Sequence, residues 1–300
     1  MSSENPKFHI LLISIHGLIR GHDLELGRDA DTGGQTLYVV ELARALGHRD
    51  DVERVDLVTR RIVDPAVSED YAKAEEVLSD KVRIVRIDAG PEEYIPKEQL
   101  WDHLDSFTDN LVEWIREQPR VPDIVHSHYA DAGYVGVRLA NLGAIPLVHT
   151  GHSLGRDKRK QLLAKGLSAE EIETTYTISR RINAEEELLA NADLVITSTR
   201  NEIESQYGLY DYYDPDCMRV IPPGTNLERY HPPVAGETSG YLEKLKPFLT
   251  KPDKPLVMAL SRPDERKNIP VLLQAFHHSK RLREAANLLL IAGNREDVRD

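Results

Sequence analysis

The residues of this sequence that could do chemistry stand where apolar runs end. After the first such run, His16 and Gly17 lead into a polar loop, and Thr32-Gly33-Gly34-Gln35 then opens an amphipathic helix. Glycines at a helix N-terminus leave backbone N–H groups free to face an anion, which the helix dipole also favours. The loop lacks the G-x-G-x-x-G spacing of dinucleotide sites, so a redox cofactor is not supported. A plain helix cap explains the glycine pair equally well.

A second candidate is the turn T-G-H-S-L-G at 150–155, which follows another apolar run. It contains His152 and Ser153, and a basic stretch with Lys158 comes directly after it. Small residues and a hydroxyl beside basic side chains suit a sugar phosphate, because lysine acts as a point charge and arginine as a bidentate fork. Taken alone, the basic stretch is better explained as a solvated charged face, and its position after a strand's carboxyl end makes the binding interpretation equally good.

Four histidines suggest a metal site that their spacing does not support. His126 and His128 lie two apart on a predicted strand and therefore share a face, and His149 and His152 follow at the end of the next strand. Zinc sites need convergent ligands at characteristic spacings, and this arrangement matches none of them. The sequence predicts no metal site here, and these side chains are expected to line a substrate crevice instead.

Arginine and lysine side chains at two further places could hold phosphate groups. Arg180 and Arg181 lie in a helical pattern with Glu185, where a surface ladder of i,i+4 ion pairs is the simplest interpretation. Adjacent helical residues diverge, so at most one of the two arginines is expected to reach a pocket. Arg262 and Lys267 flank a strand-to-helix turn near the C-terminus and could grip a diphosphate, or could be plain exposed loop residues.

The elements that must position these residues alternate between strands and helices. Apolar, β-branched runs occur at 8–15, 55–59, 82–87, 123–128, 146–149, 193–198 and 219–221. Helix-spaced apolar residues occur between them, at 35–46, 101–115, 134–142, 178–189 and 201–207. The alternation predicts an α/β fold with a doubly wound, Rossmann-like parallel sheet.

The proline and glycine content divides the chain into two lobes. Residues 1–230 are expected to form the first lobe, and the proline-rich stretch 231–255 is interpreted as a linker. Residues 256–300 start a fresh β-α-β unit, with strands at 256–260 and 287–292 and one helix at 269–285. About 45 residues cannot form a core of ordinary domain size, so the second lobe is expected to be incomplete here.

The composition limits the partners and the compartment. A formal net charge of −12 over 300 residues argues against nonspecific binding to nucleic acid or an anionic membrane. No apolar stretch reaches the roughly 20 residues of a membrane span. The single cysteine, Cys217, excludes an intramolecular disulfide and favours a cytoplasmic protein. The sequence is silent on oligomeric state.

Seven short motifs together resemble a known family. They are S-I-H-G-L-I-R at 14–20, E-L-G-R at 25–28, D-T-G-G-Q at 31–35, H-Y-A-D-A-G at 128–133, T-G-H-S-L-G at 150–155, I-P-P-G at 221–224 and S-R-P at 261–263. In this order they are similar to the retaining glycosyltransferases of the two-lobed GT-B fold, and within them to the sucrose-phosphate synthase group. The resemblance covers nearly the whole chain.

The resemblance implies transfer of glucose from UDP-glucose, or another nucleoside diphosphate glucose, to fructose 6-phosphate. It implies no tightly bound cofactor, with Mg²⁺ as a stimulatory ion, and small molecules as the partners. By motif position the catalytic residue would be His152, which meets the donor sugar near the reacting centre. The acceptor side would comprise Gly33, Gly34, Gln35, Lys97, Ser153, Lys158 and Arg180 or Arg181. Arg262 and Lys267 would grip the donor diphosphate.

Several alternatives stay open at this stage. The family's two-glutamate motif, E-x7-E, would lie beyond Asp300, so the chain could be an acceptor-binding fragment without activity. A sucrose synthase-like enzyme that uses free fructose shares the fold, although Lys97, Lys158 and the arginine pair favour a phosphorylated acceptor. A synthase of another phosphorylated disaccharide, such as mannosylfructose phosphate, is also open, and a metal hydrolase using the histidines is the least favoured.

Overall fold

A computed structural model describes residues 7–228, 230–232, 234, 240–261 and 265–292. The described residues divide into two compact units. The first runs to Leu26 and from Asp31 to Gly224, and the second comprises Gly27–Ala30 and the described residues from Thr225 onward. In the described part of the chain, no helix combines the length and the apolar character that crossing a bilayer requires.

The first unit is built on one eight-stranded sheet. Its strands are β1 (Phe8–Ile13), β2 (Val52–Arg60), β3 (Glu75–Ser79), β4 (Val82–Ile87), β5 (Ile124–His128), β6 (Leu147–Thr150), β7 (Leu194–Thr197) and β8 (Met218–Val220). They lie in the order β3-β4-β2-β1-β5-β6-β7-β8. Every neighbouring pair is parallel except β3 with β4, which is antiparallel. The predicted Rossmann-like parallel sheet is therefore confirmed.

Six helices of ordinary length surround this sheet in the described residues. They are α1 (Gly34–Gly47), α2 (Leu104–Glu117), α3 (Tyr129–Gly143), α4 (Gly155–Ala164), α5 (Ala169–Tyr176) and α6 (Ile178–Leu189). Ile10 and Leu12 of β1 pack with α1 on one face, while Leu11 and Ile13 pack with α2 and α3 on the other. Successive residues of a strand point to opposite faces, so an all-apolar strand is buried from both sides.

The strand order reverses at β1, and this places the candidate site. The chain leaves β1 toward β2 on one side, whereas β5 lies on the other side of β1. In open α/β sheets, ligands bind in the crevice outside the carboxyl ends of the strands at such a switch point. The loops that follow β1, β5 and β6 carry the motifs singled out in the sequence.

The second unit contains a small sheet with short helices. Strands β9 (Leu256–Leu260) and β10 (Asn287–Ile291) pair in parallel, and the helices are α7 (Gly240–Leu245), α8 (Ile269–His278) and α9 (Lys280–Ala285). The single helix expected over 269–285 is wrong: Ser279 ends α8, and its side chain accepts a hydrogen bond from Leu282 N to cap α9. A capping hydroxyl offers the backbone an alternative to continuing the helix.

Candidate active site

The switch point brings together the ends of three strands and the start of one helix. Gln35, in the first turn of α1, donates through Nε2 to Ser14 Oγ at 3.2 Å and to the His128 carbonyl at 3.4 Å. Gly17 turns the chain after β1 at a φ of +82°, and a Cβ there would lie 2.8 Å from the Asp31 carbonyl oxygen. Only glycine adopts this conformation freely and fits the close approach.

The N-terminus of α1 faces open space. Gly33 is the N-cap residue, and no side chain in the described structure caps the helix. A Cβ atom built at Gly33 or at Gly34 would meet no atom of the described protein within 4 Å. An accessible helix N-terminus presents its first N–H groups and the positive end of the helix dipole to a ligand. The anion-facing helix start predicted from the sequence therefore has room for a ligand in front of it.

His152 stands at the rim of this space. It follows β6 with a left-handed φ of 57°, a conformation that costs a non-glycine residue roughly 1–2 kcal/mol. The residue as a whole is exposed, and its Nε2 lies 3.1 Å from Nδ1 of the buried His128. The pKa of His152 is lowered chiefly because neighbouring protein atoms keep water from much of the ring, which disfavours its charged form. The positive charge of a protonated His16 lowers it further, to a smaller degree. Strained residues of this kind cluster at functional sites.

The other histidines are buried beneath His152. His126 bonds Thr150 Oγ1 through Nε2 at 2.9 Å, and His149 Nδ1 lies 2.9 Å from Ser127 Oγ. Burial lowers the pKa of His126 to about 3 and holds the pKa of His149 well below its ordinary value, so both rings are neutral at pH 7. Among the described residues, no three His, Cys, Asp or Glu side chains converge as a metal site.

A narrow basic pocket adjoins the histidines. Its lining includes Lys97, Glu98, Trp101, Tyr129, Asp131, Lys158, Tyr176 and Arg181. The Lys97 ammonium bonds Asp31 Oδ1, and Glu98 Oε1 lies 3.4 Å away. Burial acts to lower the pKa of Lys97, but Asp31 and Glu98 outweigh it and the pKa is raised. Lys97 therefore lines the pocket as a protonated side chain whose charge is balanced by Asp31 and Glu98.

Lys158 is the pocket cation without a carboxylate. No acidic side chain of the described residues forms an ion pair with it, and its Nζ lies 3.7 Å from the centroid of the Tyr176 ring. Its pKa is lowered to about 8, chiefly by burial and then by the charge of Arg181. Both causes disfavour the protonated form, so an anion bound beside Lys158 would be stabilised by it and would raise its pKa.

Arg181 is held in place by a buried network. The side chain is buried and donates from Nε to Glu185 Oε1 at 2.9 Å and from Nη2 to the Ser153 carbonyl at 2.6 Å. Glu185 also accepts hydrogen bonds from Gly155 N and from the Tyr210 hydroxyl. The i,i+4 pair expected on the helix surface is thus present but buried. Sequence reasoning missed Tyr210 as a member because it is remote along the chain.

The remaining predicted residues are placed apart from this pocket or beyond the described structure. Arg180 donates to Asp102 Oδ1 at 2.5 Å and to the Trp101 carbonyl at 2.6 Å, and it is not among the pocket-lining residues. Arg181 is therefore the arginine that reaches the pocket. Lys267 ends a short 3₁₀ helix of the second unit and is exposed, and Arg262 lies outside the described residues.

The comparison with protein families decides which of the possible chemistries applies. Residues 32–229 match the model described as Glycosyltransferase Family 4. The chain belongs to this family. The matched range contains the glycine pair of α1, the basic pocket and His152.

Curated relatives and solved structures give a finer similarity. The family 4 chain is 42% identical to sucrose-phosphate synthase 4 of Arabidopsis thaliana and to sucrose-phosphate synthase of Zea mays, over 100% and 99% of its length. It spans 34% of each of those relatives. A solved sucrose-phosphate synthase from Thermosynechococcus elongatus matches with a TM-score of 0.70 and 28% identity, over 97% of this chain and 64% of that one.

A more distant structure supports the fold alone. The catalytic domain of starch synthase IV from Arabidopsis thaliana superposes with a TM-score of 0.60 at 13% identity, over 97% of this chain and 69% of that one. The chain is therefore a sucrose-phosphate synthase-like member of glycosyltransferase family 4 with the GT-B type of fold.

Proposed function

We propose that the chain binds fructose 6-phosphate as the acceptor part of a retaining glycosyltransferase that takes glucose from UDP-glucose and forms sucrose 6-phosphate and UDP. The observation that carries this proposal is Lys158, a half-buried cation without a carboxylate partner in the described structure, in a pocket with Lys97 and Arg181. The similarity to plant and cyanobacterial sucrose-phosphate synthases supports the choice of substrates.

The charges of the pocket favour a phosphorylated acceptor. Asp31 and Glu98 pair with Lys97, and Glu185 pairs with Arg181, so Lys158 is the cation among these three that has no ion pair in the described structure. A phosphate group would supply the missing anion, and charge-assisted hydrogen bonds from lysine and arginine are about twice as strong as neutral ones. Free fructose offers only neutral hydroxyl acceptors, so it would not compensate the charge of Lys158.

The other site residues take roles that follow from their chemistry. The start of α1, with Gly33, Gly34 and Gln35, faces the acceptor. Ser153 accepts a hydrogen bond from Arg181 through its Oγ. His152 contacts the donor sugar near the reacting carbon and orients one of its hydroxyl groups. In the proposed reaction the bond from the anomeric carbon to the diphosphate breaks, the acceptor hydroxyl forms the new bond, and its proton passes to the departing phosphate. Arg262 and Lys267 are proposed to hold that diphosphate.

Isothermal titration calorimetry tests the acceptor assignment. Fructose 6-phosphate, fructose and inorganic phosphate are titrated into the 300-residue chain, and UDP-glucose is then added with each sugar while UDP and disaccharide are measured. Tight binding of fructose 6-phosphate over fructose supports the proposal, and formation of sucrose 6-phosphate identifies the reaction. A preference for fructose would favour the sucrose synthase-like alternative. Binding of fructose 6-phosphate without formation of UDP or disaccharide would mean that these 300 residues bind the acceptor but do not catalyse the transfer.

The affinity for fructose 6-phosphate is expected to fall as pH rises through about 8. Lys158 has a pKa of about 8 in the free protein, and the bound phosphate favours its charged form. A phosphate monoester has a second pKa of about 6 and is already a dianion above pH 7. Linkage then predicts about tenfold weaker binding at pH 9 than at pH 7. Calorimetry across this range measures it, and Lys158→Arg should flatten the profile because arginine stays charged. An unchanged profile in that variant would contradict the assignment.

Gly34→Ala is expected to weaken the acceptor site without harming the fold. Alanine at the first position of α1 stabilises a helix by up to about 1 kcal/mol relative to glycine, and its methyl group would enter the open space in front of the helix. We expect an unchanged or higher midpoint of thermal unfolding and at least several-fold weaker binding of fructose 6-phosphate. Gly240→Ala is the matched control, since Gly240 also opens a helix with free space at its Cβ. Equal affinities in the two variants would argue against a ligand at α1.

A further inference from the structure

We propose that His128 is a positioning residue that holds His152 in one tautomer, with the Nδ1–H of His152 presented to the sugar ligand. The juxtaposition is direct: His128 Nδ1 and His152 Nε2 are 3.1 Å apart across the ends of β5 and β6. His128 is fully buried, whereas His152 as a residue is exposed to solvent. The ligand chemistry rests on the function proposed above, but the tautomer of His152 does not.

The surroundings fix the orientation of both rings. The His128 ring stacks on His126 with a centroid separation of 4.2 Å, and the Tyr38 ring meets that of His152 edge-on at 5.1 Å. The backbone carbonyl of His128 accepts a hydrogen bond from Gln35 Nε2, which links His128 to α1. The buried His128 ring cannot turn to exchange its two nitrogens without breaking these contacts, and the His152 ring is held by its hydrogen bond to His128 and by Tyr38.

Both rings are neutral, so one must donate and the other must accept. Burial holds the pKa of His128 well below its ordinary value, and the neighbouring histidines His126, His152 and His149 add to this effect. The pKa of His152 is lowered as well. A neutral imidazole carries a hydrogen on only one nitrogen and a lone pair on the other. The direction of this single hydrogen bond therefore decides the tautomers of both side chains.

The second nitrogen of His128 decides the direction. His128 Nε2 is buried and has no hydrogen-bond partner among the described residues. If His152 donated, His128 would have to carry its hydrogen on Nε2 as a buried N–H without an acceptor, an arrangement that is rare and costly in proteins. If His128 donates from Nδ1, Nε2 keeps only a lone pair. His152 Nε2 is then the acceptor, and its hydrogen lies on Nδ1.

This assignment gives His152 a defined chemical role. A neutral ring with a fixed Nδ1–H is a hydrogen-bond donor toward an oxygen of the ligand, rather than a base or a cation. In the proposed transferase it would orient a hydroxyl of the donor sugar. A hydrogen-bond donor that is already held in position stabilises the reacting state more than a mobile one. His128 would act only through His152 and would not touch substrate.

Nuclear magnetic resonance of the ligand-free, 300-residue chain labelled with ¹⁵N-histidine tests the proposal. Long-range ¹H–¹⁵N correlations distinguish a protonated from an unprotonated ring nitrogen, and His152→Gln identifies the signals of His152 among the twelve histidines. We expect Nδ1 of His152 to be protonated and Nε2 to be a bare acceptor. The opposite tautomer in the unmodified chain would overturn the proposal, whether or not the chain binds fructose 6-phosphate.

Three variants separate positioning from mere packing. His128→Asn keeps an N–H near the position of Nδ1 and should preserve the tautomer of His152. His128→Leu removes the donor and should shift His152 to a mixture rich in the Nε2–H form. His149→Leu removes another buried histidine that bonds Ser127 instead, and it should leave His152 unchanged. A His152 spectrum that is the same in the asparagine and leucine variants contradicts the proposal, and if the leucine variant does not fold, the unmodified chain and the asparagine variant still decide.

Discussion

Lys158→Met is expected to weaken fructose 6-phosphate binding by about 10- to 100-fold. Hydrogen bonds to charged groups contribute roughly 1.5–3 kcal/mol, and methionine retains the length of the side chain without its charge. The loss should be large because Lys158 is the cation of the pocket that no carboxylate of the described residues neutralises. Calorimetry with fructose 6-phosphate measures the change, and the weak binding of fructose should stay the same.

The control for this variant is Lys160→Met. Lys160 lies on the same helix, two residues further along, and is exposed on a separate cleft of about 510 Å³ that Arg156 and Arg159 also line. It carries the same charge, so its replacement changes the net charge of the protein equally. Similar losses in the two variants would show that long-range electrostatics, rather than a contact with phosphate, controls binding. No loss in either variant would place the phosphate elsewhere.

Glu185→Gln is expected to lower the free energy of unfolding of the first unit by about 3 kcal/mol or more. The side chains of Glu185 and Arg181 are only 3% and 4% exposed, and the substitution leaves the guanidinium buried without its counter-ion. In the unmodified protein, the Tyr210 hydroxyl donates a hydrogen bond to the Glu185 carboxylate. The amide nitrogen of glutamine in that place could not accept it. Because Arg181 would lose its anchor, we also expect weaker binding of fructose 6-phosphate.

Urea unfolding followed by tryptophan fluorescence measures this effect in the first unit. The two tryptophans of the chain, Trp101 and Trp114, both lie in that unit. Glu187→Gln is the matched control, since Glu187 lies on the same helix but is exposed, with its nearest Arg138 nitrogen at 3.5 Å. Surface ion pairs contribute about 0–1 kcal/mol, so this control should change little. Equal destabilisation by the two variants would contradict the role given to the buried network.

The regular elements near the site could be predicted well because their signals are local. The apolar runs and helix-spaced patterns indicated β1, β5, β6, α1 and α6 at nearly their observed positions. The antiparallel edge strand β3 and the helices α4 and α5 were missed. The segment of β3, Glu75–Ser79, contains no buried residue and only two apolar ones, and α4 is dominated by charged residues. Neither shows the apolar periodicity from which elements are recognised.

The amino-acid sequence by itself determined the fold class, the family motifs and the location of basic residues after strand ends. These features depend on neighbours a few residues away, through backbone propensity and hydrophobic periodicity. The sequence also indicated that at most one of Arg180 and Arg181 reaches a pocket, because the side chains of adjacent helical residues point in different directions.

Only the tertiary structure decided which groups are partners. It selected Arg181 over Arg180, joined Lys97 to Asp31 across 66 residues, and brought His128 to His152. His128 and His152 meet because β5 and β6, separated along the chain by α3, end side by side, and the other pairings join loops and helices that the folded sheet brings together. No local pattern encodes such a meeting, because the register and order of strands depend on how the entire core is buried.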